Sequence, residues 1–484
     1  MGLVSNKRWS DEELLQRRKD VLSGWPTGRA VDLEEAIEYH RRLPKHRVFT
    51  NRVQEAQKKG EILVEVGLGH TTAEETGEHL AAVRDAGADL VMFHTDTYTR
   101  KNRYEDAEKA LEESKRSNRS MLNGFPIVCY GVEESRRVFE LGDIAIEGYS
   151  ADEDPTLTWE IALAAGATAN FNHDLQELVL HSKRYPLDKR IQNSQYIARL
   201  AAYYTERGAP VHVHSYALMH GYCPPSLNIA IAVLNLLLTV GQGVRHTGLC
   251  HALQGHLVQD VAALRACREL GEEYLQRFGY RDLDFTLSSW PFMGDWPKDL
   301  ARASGFASMF AVASALAPVE YIYQKSVEEA LGITKFQGNV TVTRLTKQVN
   351  SMVKNLGPFD NAAIREEKDV IVAEARCILD RVIEMGEGDP QVGEIRAVEA
   401  GVLDVPFSSW LSLKGKVLPV RDATGAMRYL ETGGLPFTKE LIERNTQKVA
   451  EREAKEHPGA SLDMLVKDIK LYSEEFVAAN CMPA

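Results

Sequence analysis

No stretch of this 484-residue chain approaches the run of about eighteen apolar residues that a membrane-spanning helix needs. The opening MGLVSNKRWSDEELLQRRKD has early charges with no apolar segment behind them, so a secretory leader is not expected and a cytoplasmic location is. No basic block offsets the net charge of −12. Such a field repels phosphate backbones and anionic bilayers, which excludes nucleic acid and membranes as expected partners. Cysteine is sparse. The six residues Cys129, Cys223, Cys250, Cys267, Cys377 and Cys481 are far apart and form no C-x-x-C pair, which argues against a structural zinc site or a redox motif and for buried thiols. Internal repeats and low-complexity segments are also missing.

With 44% apolar and 26% charged residues, the chain can bury a large core and is longer than one compact domain usually is. Residues 1–58 are charged and helical in pattern, with Asp32 placed to cap an amphipathic helix that runs to Arg42; they read as an N-terminal helical arm. From Glu61 short apolar runs alternate with amphipathic helices: ILVEV, ADLVMF, RSMLNG, IAIEGY, ATANF, PVHVHS, HTGLCHA, DFTLSS and EYIYQ. Strands that alternate with helices imply a parallel sheet. Nine candidates across 59–357 suit an α/β fold of the TIM-like (β/α)8 barrel type with one strand too many, and the pattern leaves open which one. In such a barrel the chemistry sits at the C-terminal strand ends. Past Gly357 the strand signal gives way to a long helix, about Ala362 to Met385, and a Gly- and Pro-punctuated tail, so 358–484 reads as a C-terminal accessory region.

Several segments carry a specific resemblance. RWSDEELLQRRKDVLSGWPTGRAVDLEEA with its Trp25-Pro26-Thr27-Gly28, YTRKNRY at 98–104, and RSMLNGFP at 119–126 followed by Tyr130-Gly131 are among them. QDVAALR at 259–265, ILDRVIEMGEGD at 378–389, DVPF at 404–407, LPVRDATGAMRYLE at 418–431 and LPFTKE at 435–440 continue the series. In this register the chain resembles the epsilon (large) subunit of glutamate mutase, also called methylaspartate mutase, over nearly its whole length.

That resemblance implies an isomerase: the substrate-binding subunit of an adenosylcobalamin-dependent radical carbon-skeleton mutase. It also implies a small cobalamin-binding subunit as partner and a homodimer of large subunits. The family's cobalt-ligating histidine belongs to an Asp-x-His-x-x-Gly motif on the small subunit, and no histidine here has an aspartate two residues before it. The residues that hold the adenosyl group in the family map onto Gly69, Asn123, Trp296, Lys325, Glu329 and Ile333. Of the family's three substrate arginines only Arg100 is kept. The other two positions carry Gly67 and Gly148, a glutamate position carries Phe171, and two tyrosine positions carry Glu177 and His181. With two arginines replaced by glycine the pocket is expected to be larger and less cationic, and the substrate to be an amino acid other than glutamate.

His212 and His214 share one face of a strand because side chains alternate. His220, His246, His251 and His256 lie in the adjoining units. They are expected to line the pocket as hydrogen-bond partners, with no metal. The alternatives are a metal-dependent barrel enzyme built on this cluster and a non-catalytic relative.

Overall fold

The computed structural model describes all residues except 1, 150–152, 217–220, 318, 333–334, 355, 357–358, 457–460 and 473–484. Eight parallel strands close on themselves: β1 (Leu63–Leu68), β2 (Leu90–His94), β3 (Ala145–Tyr149), β4 (Ala169–Asn172), β5 (His212–Tyr216), β6 (His246–Ala252), β7 (Asp284–Trp290) and β8 (Tyr321–Gln324). The closing pair sets Leu63 opposite Tyr321 and Val66 opposite Gln324. Eight of the nine expected strands are present, and RSMLNG is the surplus one. It joins helix Tyr104–Ser117 to helix Ile127–Gly142, both inside the crossover from β2 to β3. Side-chain hydroxyls hold it instead of a ladder: Ser114 Oγ accepts the Met121 N–H at 3.0 Å and Thr71 Oγ1 donates to the Leu122 carbonyl at 3.0 Å. One bridge, Thr95 with Phe125, is all the pairing it leads into.

Alternation along the strands splits their side chains between two cores. Val66, Val91, Phe93, Val213 and Leu249 face outward against the helices. Inside, the layers differ in chemistry. At the N-terminal mouth, Phe49, Val53 and Ala56 of helix Phe49–Lys59 pack onto Leu63, Leu90, Ala145, Ala169 and Tyr321. The last helix of the arm is therefore a plug that seals the barrel floor, and its glycine cap Gly60 takes a φ of 61° to turn directly into β1. The middle layer is ionisable, with Glu65, Glu147 and His214 fully buried. Above it, Met92, Phe171, Tyr216, Cys250, Ala252, Trp290 and Tyr323 form an apolar layer. The Trp290 and Tyr323 rings stack there with centroids 3.7 Å apart.

The rest of the arm wraps the barrel's outside. Thr27 of the Trp-Pro-Thr-Gly segment donates its hydroxyl to the Val128 carbonyl at 2.6 Å. The helix it touches bends at Gly131, where φ is 73° and a Cβ would lie 3.1 Å from Thr27. Two separated pieces of the shared sequence pattern thus meet at one contact. The long C-terminal helix runs Ala362–Met385 and packs across helices Pro225–Gly241 and Leu257–Arg277. A hairpin, β9 (Val417–Arg421) and β10 (Met427–Thr432), follows. Ser408 and Ser409 reach back to the barrel mouth, where their hydroxyls donate to the carbonyls of Val179 at 3.0 Å and Ser182 at 2.9 Å. Among the described residues no helix is long and apolar enough to cross a membrane.

Candidate functional site

At the C-terminal ends of β1, β2 and β8 the strands open into a cleft of about 350 Å3. Gly67, Gly69, Asn123, Lys325 and Glu329 line it, together with His70, His79, His94, Tyr323 and Asn339. Gly69 is demanded by the crossing of chains. A Cβ there would lie 2.1 Å from the His94 carbonyl oxygen, closer than atoms can pack, and 3.3 Å from the Phe125 nitrogen. Asn123 comes from the surplus segment, whose loop geometry carries it to the mouth. Its Oδ1 accepts the Thr97 N–H at 3.0 Å and the Thr97 hydroxyl at 2.9 Å.

Lys325, nearly buried, donates from Nζ to Glu329 Oε1 at 2.8 Å. An ammonium has three donors and a carboxylate about four acceptor sites, so the pair retains hydrogen-bonding capacity of both kinds. Adjacent donor and acceptor groups of opposite charge suit a vicinal diol. Trp296 lies behind the lysine, its ring centroid 6.0 Å from Nζ and its indole N–H donated to the Phe292 carbonyl at 2.9 Å. Ile333 falls outside the described residues, as does His220.

Arg100 sits on the turn Thr97–Arg100 next to this cleft. Asp96 caps that turn, accepting from the Tyr98 N–H at 2.8 Å and the Thr99 N–H at 3.1 Å. Among the described residues the Arg100 Nε is buried with no hydrogen-bond partner, and the nearby Asp96 carboxyl feels the guanidinium's charge. A cation held this way is a ready anchor for a carboxylate. His94 stands between the two halves. Burial, then the positive charges of Arg100 and Lys325, push it down to about 3, so it is neutral at physiological pH.

The substrate-side glycines correct the expectation of added room. At Gly67 a Cβ would meet Tyr323 Oη at 2.3 Å and His94 Nε2 at 2.6 Å, so those side chains already occupy the space. Gly148 faces the opposite way from the lumen. Its Cβ would meet Trp159 at 3.0 Å and Ala162 at 3.5 Å, in the layer between sheet and helices. A one-residue step along a strand reverses its facing, so Gly148 is not a lumen position.

Phe171 does face the lumen, its ring 4.0 Å from Tyr216 and 5.5 Å from His214. Glu177 is buried on helix Leu175–His181, with His181 Nδ1 at 2.8 Å and His173 Nδ1 at 3.6 Å from its carboxylate oxygens. Burial raises this carboxyl, but the hydrogen bond and charge of His181, then His173 and Arg190, outweigh it and hold the group below the usual range. His181 itself is partly exposed, and the neighbouring Leu180 packs against the apolar layer.

The strand histidines lie deeper than expected and do not line the mouth. His212 stacks on Phe49 of the plug with centroids 5.1 Å apart. His214 contacts Glu147 through Nδ1 and the Tyr321 hydroxyl through Nε2. Burial pushes both histidines well down and raises Glu147 to about 8; Glu65, buried beside it, is also raised, by burial and by Glu147. His246 pairs with Asp284 at 2.6 Å at the far end of the barrel, and His256 caps helix Leu257–Arg277 by accepting the Gln259 N–H at 3.1 Å. His251 is wholly buried, and among the described residues neither of its ring nitrogens is hydrogen-bonded. Among the described residues no three His, Cys, Asp or Glu side chains converge as a metal site. His70, His79, Tyr323 and Asn339 were missing from the sequence reading. His70 and His94 each stand at or just past a strand end, the position where a barrel keeps its chemistry.

A closed parallel barrel with a polar cleft and a partly buried arginine at its C-terminal mouth belongs to the class of (β/α)8 enzymes. The methylaspartate mutase E chain family model matches residues 43–479. The glutamate mutase epsilon subunit of Desulfitobacterium hafniense is 38% identical over 469 residues, spanning 96% of this chain and 97% of its own. The epsilon subunits of Treponema denticola, at 34% and covering 96% of each chain, and of Escherichia coli O157:H7, at 33% and covering 97% of this chain and 98% of its own, are similar to it as well. The chain belongs to the methylaspartate mutase E chain family, whose members are isomerase subunits.

Proposed function

We propose that this chain is the large subunit of an adenosylcobalamin-dependent mutase, that it works with a separate small cobalamin-binding subunit, and that its substrate is an amino acid other than glutamate. The observation that carries the cofactor half is the convergence of Gly69, Asn123, Lys325 and Glu329 on one cleft at the catalytic end of the barrel. The residues fit the adenosyl group: Lys325 and Glu329 would hold the ribose hydroxyls, Gly69 lets a ligand approach the backbone, and Asn123 closes the side. When bound, the cofactor supplies the radical that removes a substrate hydrogen. The protein's part is to orient the reacting groups and keep water out, which the stacked Trp290 and Tyr323 beneath the mouth support.

The substrate half rests on charge. Arg100 offers one cation for one carboxylate, while Gly67 is backed by neutral His94 and Tyr323 and the lumen position at 171 is a phenylalanine. A second carboxylate entering here would be desolvated without a cationic partner, which is costly. Glu177 and His181 lie on the mouth-side helix and would contact the amino acid's polar groups. The chain divides in this reading into the arm 1–58, the barrel 59–357 and the accessory region 358–484.

Size-exclusion chromatography with a small cobalamin subunit tests the division of labour. Co-elution that depends on both proteins is expected, with no cobalamin retained by this chain alone. Tight cobalamin uptake by the isolated chain would contradict it.

A further inference from the structure

Behind the cleft runs a chain of side chains whose proton positions are fixed by one backbone carbonyl. Asn339, from helix Phe336–Val353, places its Nδ2 at 3.0 Å from the Gly67 carbonyl oxygen and 3.2 Å from His79 Nε2. A carbonyl can only accept, so the group facing it must be the amide NH2. Its second hydrogen then points at His79 Nε2, which has to accept. A neutral imidazole that accepts at Nε2 carries its proton on Nδ1. His79 Nδ1 lies 2.6 Å from His70 Nε2, so it donates there, and His70 in turn must carry its own proton on Nδ1. That last N–H makes no protein hydrogen bond among the described residues, and His70 lines the cleft.

The two rings are held for this purpose. Their centroids are 4.9 Å apart, His79 is 2% exposed, and the His70 backbone N–H is tied to Thr76 Oγ1 at 3.2 Å. The groups facing the pair are few in kind. Asn339 and Phe336 meet His79 from one side, and among the described residues Glu75, on the same helix as His79, is the acidic group that acts on His70. Burial lowers both imidazoles, His79 to about 3, so the relay is neutral over the physiological range.

We propose that Asn339, His79 and His70 form a tautomer-setting relay that presents the His70 Nδ1–H as a hydrogen-bond donor to the base of a nucleoside bound in the cleft. Lys325 and Glu329 take the sugar end of that nucleoside. The cleft thereby reads the ligand at two ends, a diol by the ion pair and a ring nitrogen by a donor that cannot switch to an acceptor. This rests on the nucleoside reading of the cleft under Proposed function. His70 touches the ligand, while His79 and Asn339 act through it as positioning residues.

Two measurements on the full chain test the relay. Imidazole 15N chemical shifts should show both His70 and His79 protonated at Nδ1 and unprotonated at Nε2, and Asn339→Leu should release that preference at His79. Titration with 5′-deoxyadenosine should bind about five- to tenfold more weakly to His70→Phe than to the parent, the worth of one neutral hydrogen bond, with an unchanged melting midpoint. Asn339→Leu should weaken binding less than His70→Phe does. A proton found on Nε2 of His70, or equal affinity in His70→Phe, would overturn the proposal and leave the nucleoside reading intact. If the parent chain, alone and in complex with its small subunit, takes up no 5′-deoxyadenosine at millimolar concentration, the nucleoside reading itself fails and the base contact with it.

Discussion

Gly69→Ala is the smallest change that should damage this protein most. The added methyl would sit 2.1 Å from the His94 carbonyl oxygen and 3.1 Å from its carbon, against separations near 3.4 Å for ordinary contact. Both partners are backbone at the ends of β1 and β2, so no side chain can swing away and the mouth itself must shift. Overpacking of this kind costs about 1–3 kcal/mol, and the rigid crossing argues for the upper end. At about 2–4 °C per kcal/mol the melting midpoint should fall by several degrees. Because His94 and Asn123 border the cleft, 5′-deoxyadenosine affinity should drop by about tenfold or more, more than the loss of stability alone would give. Gly305→Ala is the matched control. Gly305 lies inside helix Leu300–Ala315 with nothing within 4 Å of its missing Cβ. Alanine there should stabilise by about 0.5–1 kcal/mol through helix propensity and leave binding unchanged. If Gly69→Ala melts and binds like the parent, the close approach of the Gly69 and His94 backbones at the cleft is not as described.

Lys325→Ala and Glu329→Gln should each abolish turnover in the reconstituted complex while melting normally, because the pair lines the cleft and not the core; full activity in either variant contradicts the diol reading. Arg100→Ala should reduce kcat/KM by about ten- to a hundredfold, the worth of a charge-assisted hydrogen bond to a carboxylate, and steady-state kinetics check it. Glu147 is raised from its ordinary 4.5 to about 8 in the fold. Its folded state binds the proton more tightly than the unfolded state, so its stabilising contribution is full below about pH 4.5 and is lost as pH rises through about 8. Glu147→Gln should flatten that decline in denaturation midpoints measured from pH 5 to 8.5, and an unchanged pH profile would contradict the raised affinity of buried Glu147 for its proton.

The barrel was legible because its signals are local. Apolar runs such as ADLVMF and HTGLCHA sit between amphipathic stretches, and the Asn361-capped helix Ala362–Met385 announces both its ends. RSMLNG deceives the same reading because its apolar residues Met121 and Leu122 serve a loop, with Met121 partly exposed, and no periodicity distinguishes such a loop from a strand. The positions expected from the family pattern to hold an adenosyl group, Gly69, Asn123, Lys325 and Glu329, line one cleft. The substrate side was harder. Whether Gly148 faces in or out turns on a single residue of register, and whether Gly67 leaves a void depends on Tyr323 from a strand more than two hundred residues away. The histidine pair in PVHVHS reads as a pocket feature until the plug helix is seen to fill the floor beneath it. Long-range packing of this sort has no local trace.

On the proposed reading, this family member handles an amino acid other than glutamate with a cofactor carried on a second chain. That reading is tested most directly by assaying the complex, reconstituted with a small cobalamin subunit and adenosylcobalamin, on L-glutamate, on 3-methylaspartate in the reverse direction, and on a panel of monocarboxylic amino acids. Turnover of a monocarboxylic amino acid and little or none of either dicarboxylate is expected, since Arg100 is the one cation assigned here to a substrate carboxylate, with Lys325 engaged by Glu329. Efficient interconversion of glutamate and 3-methylaspartate would contradict it.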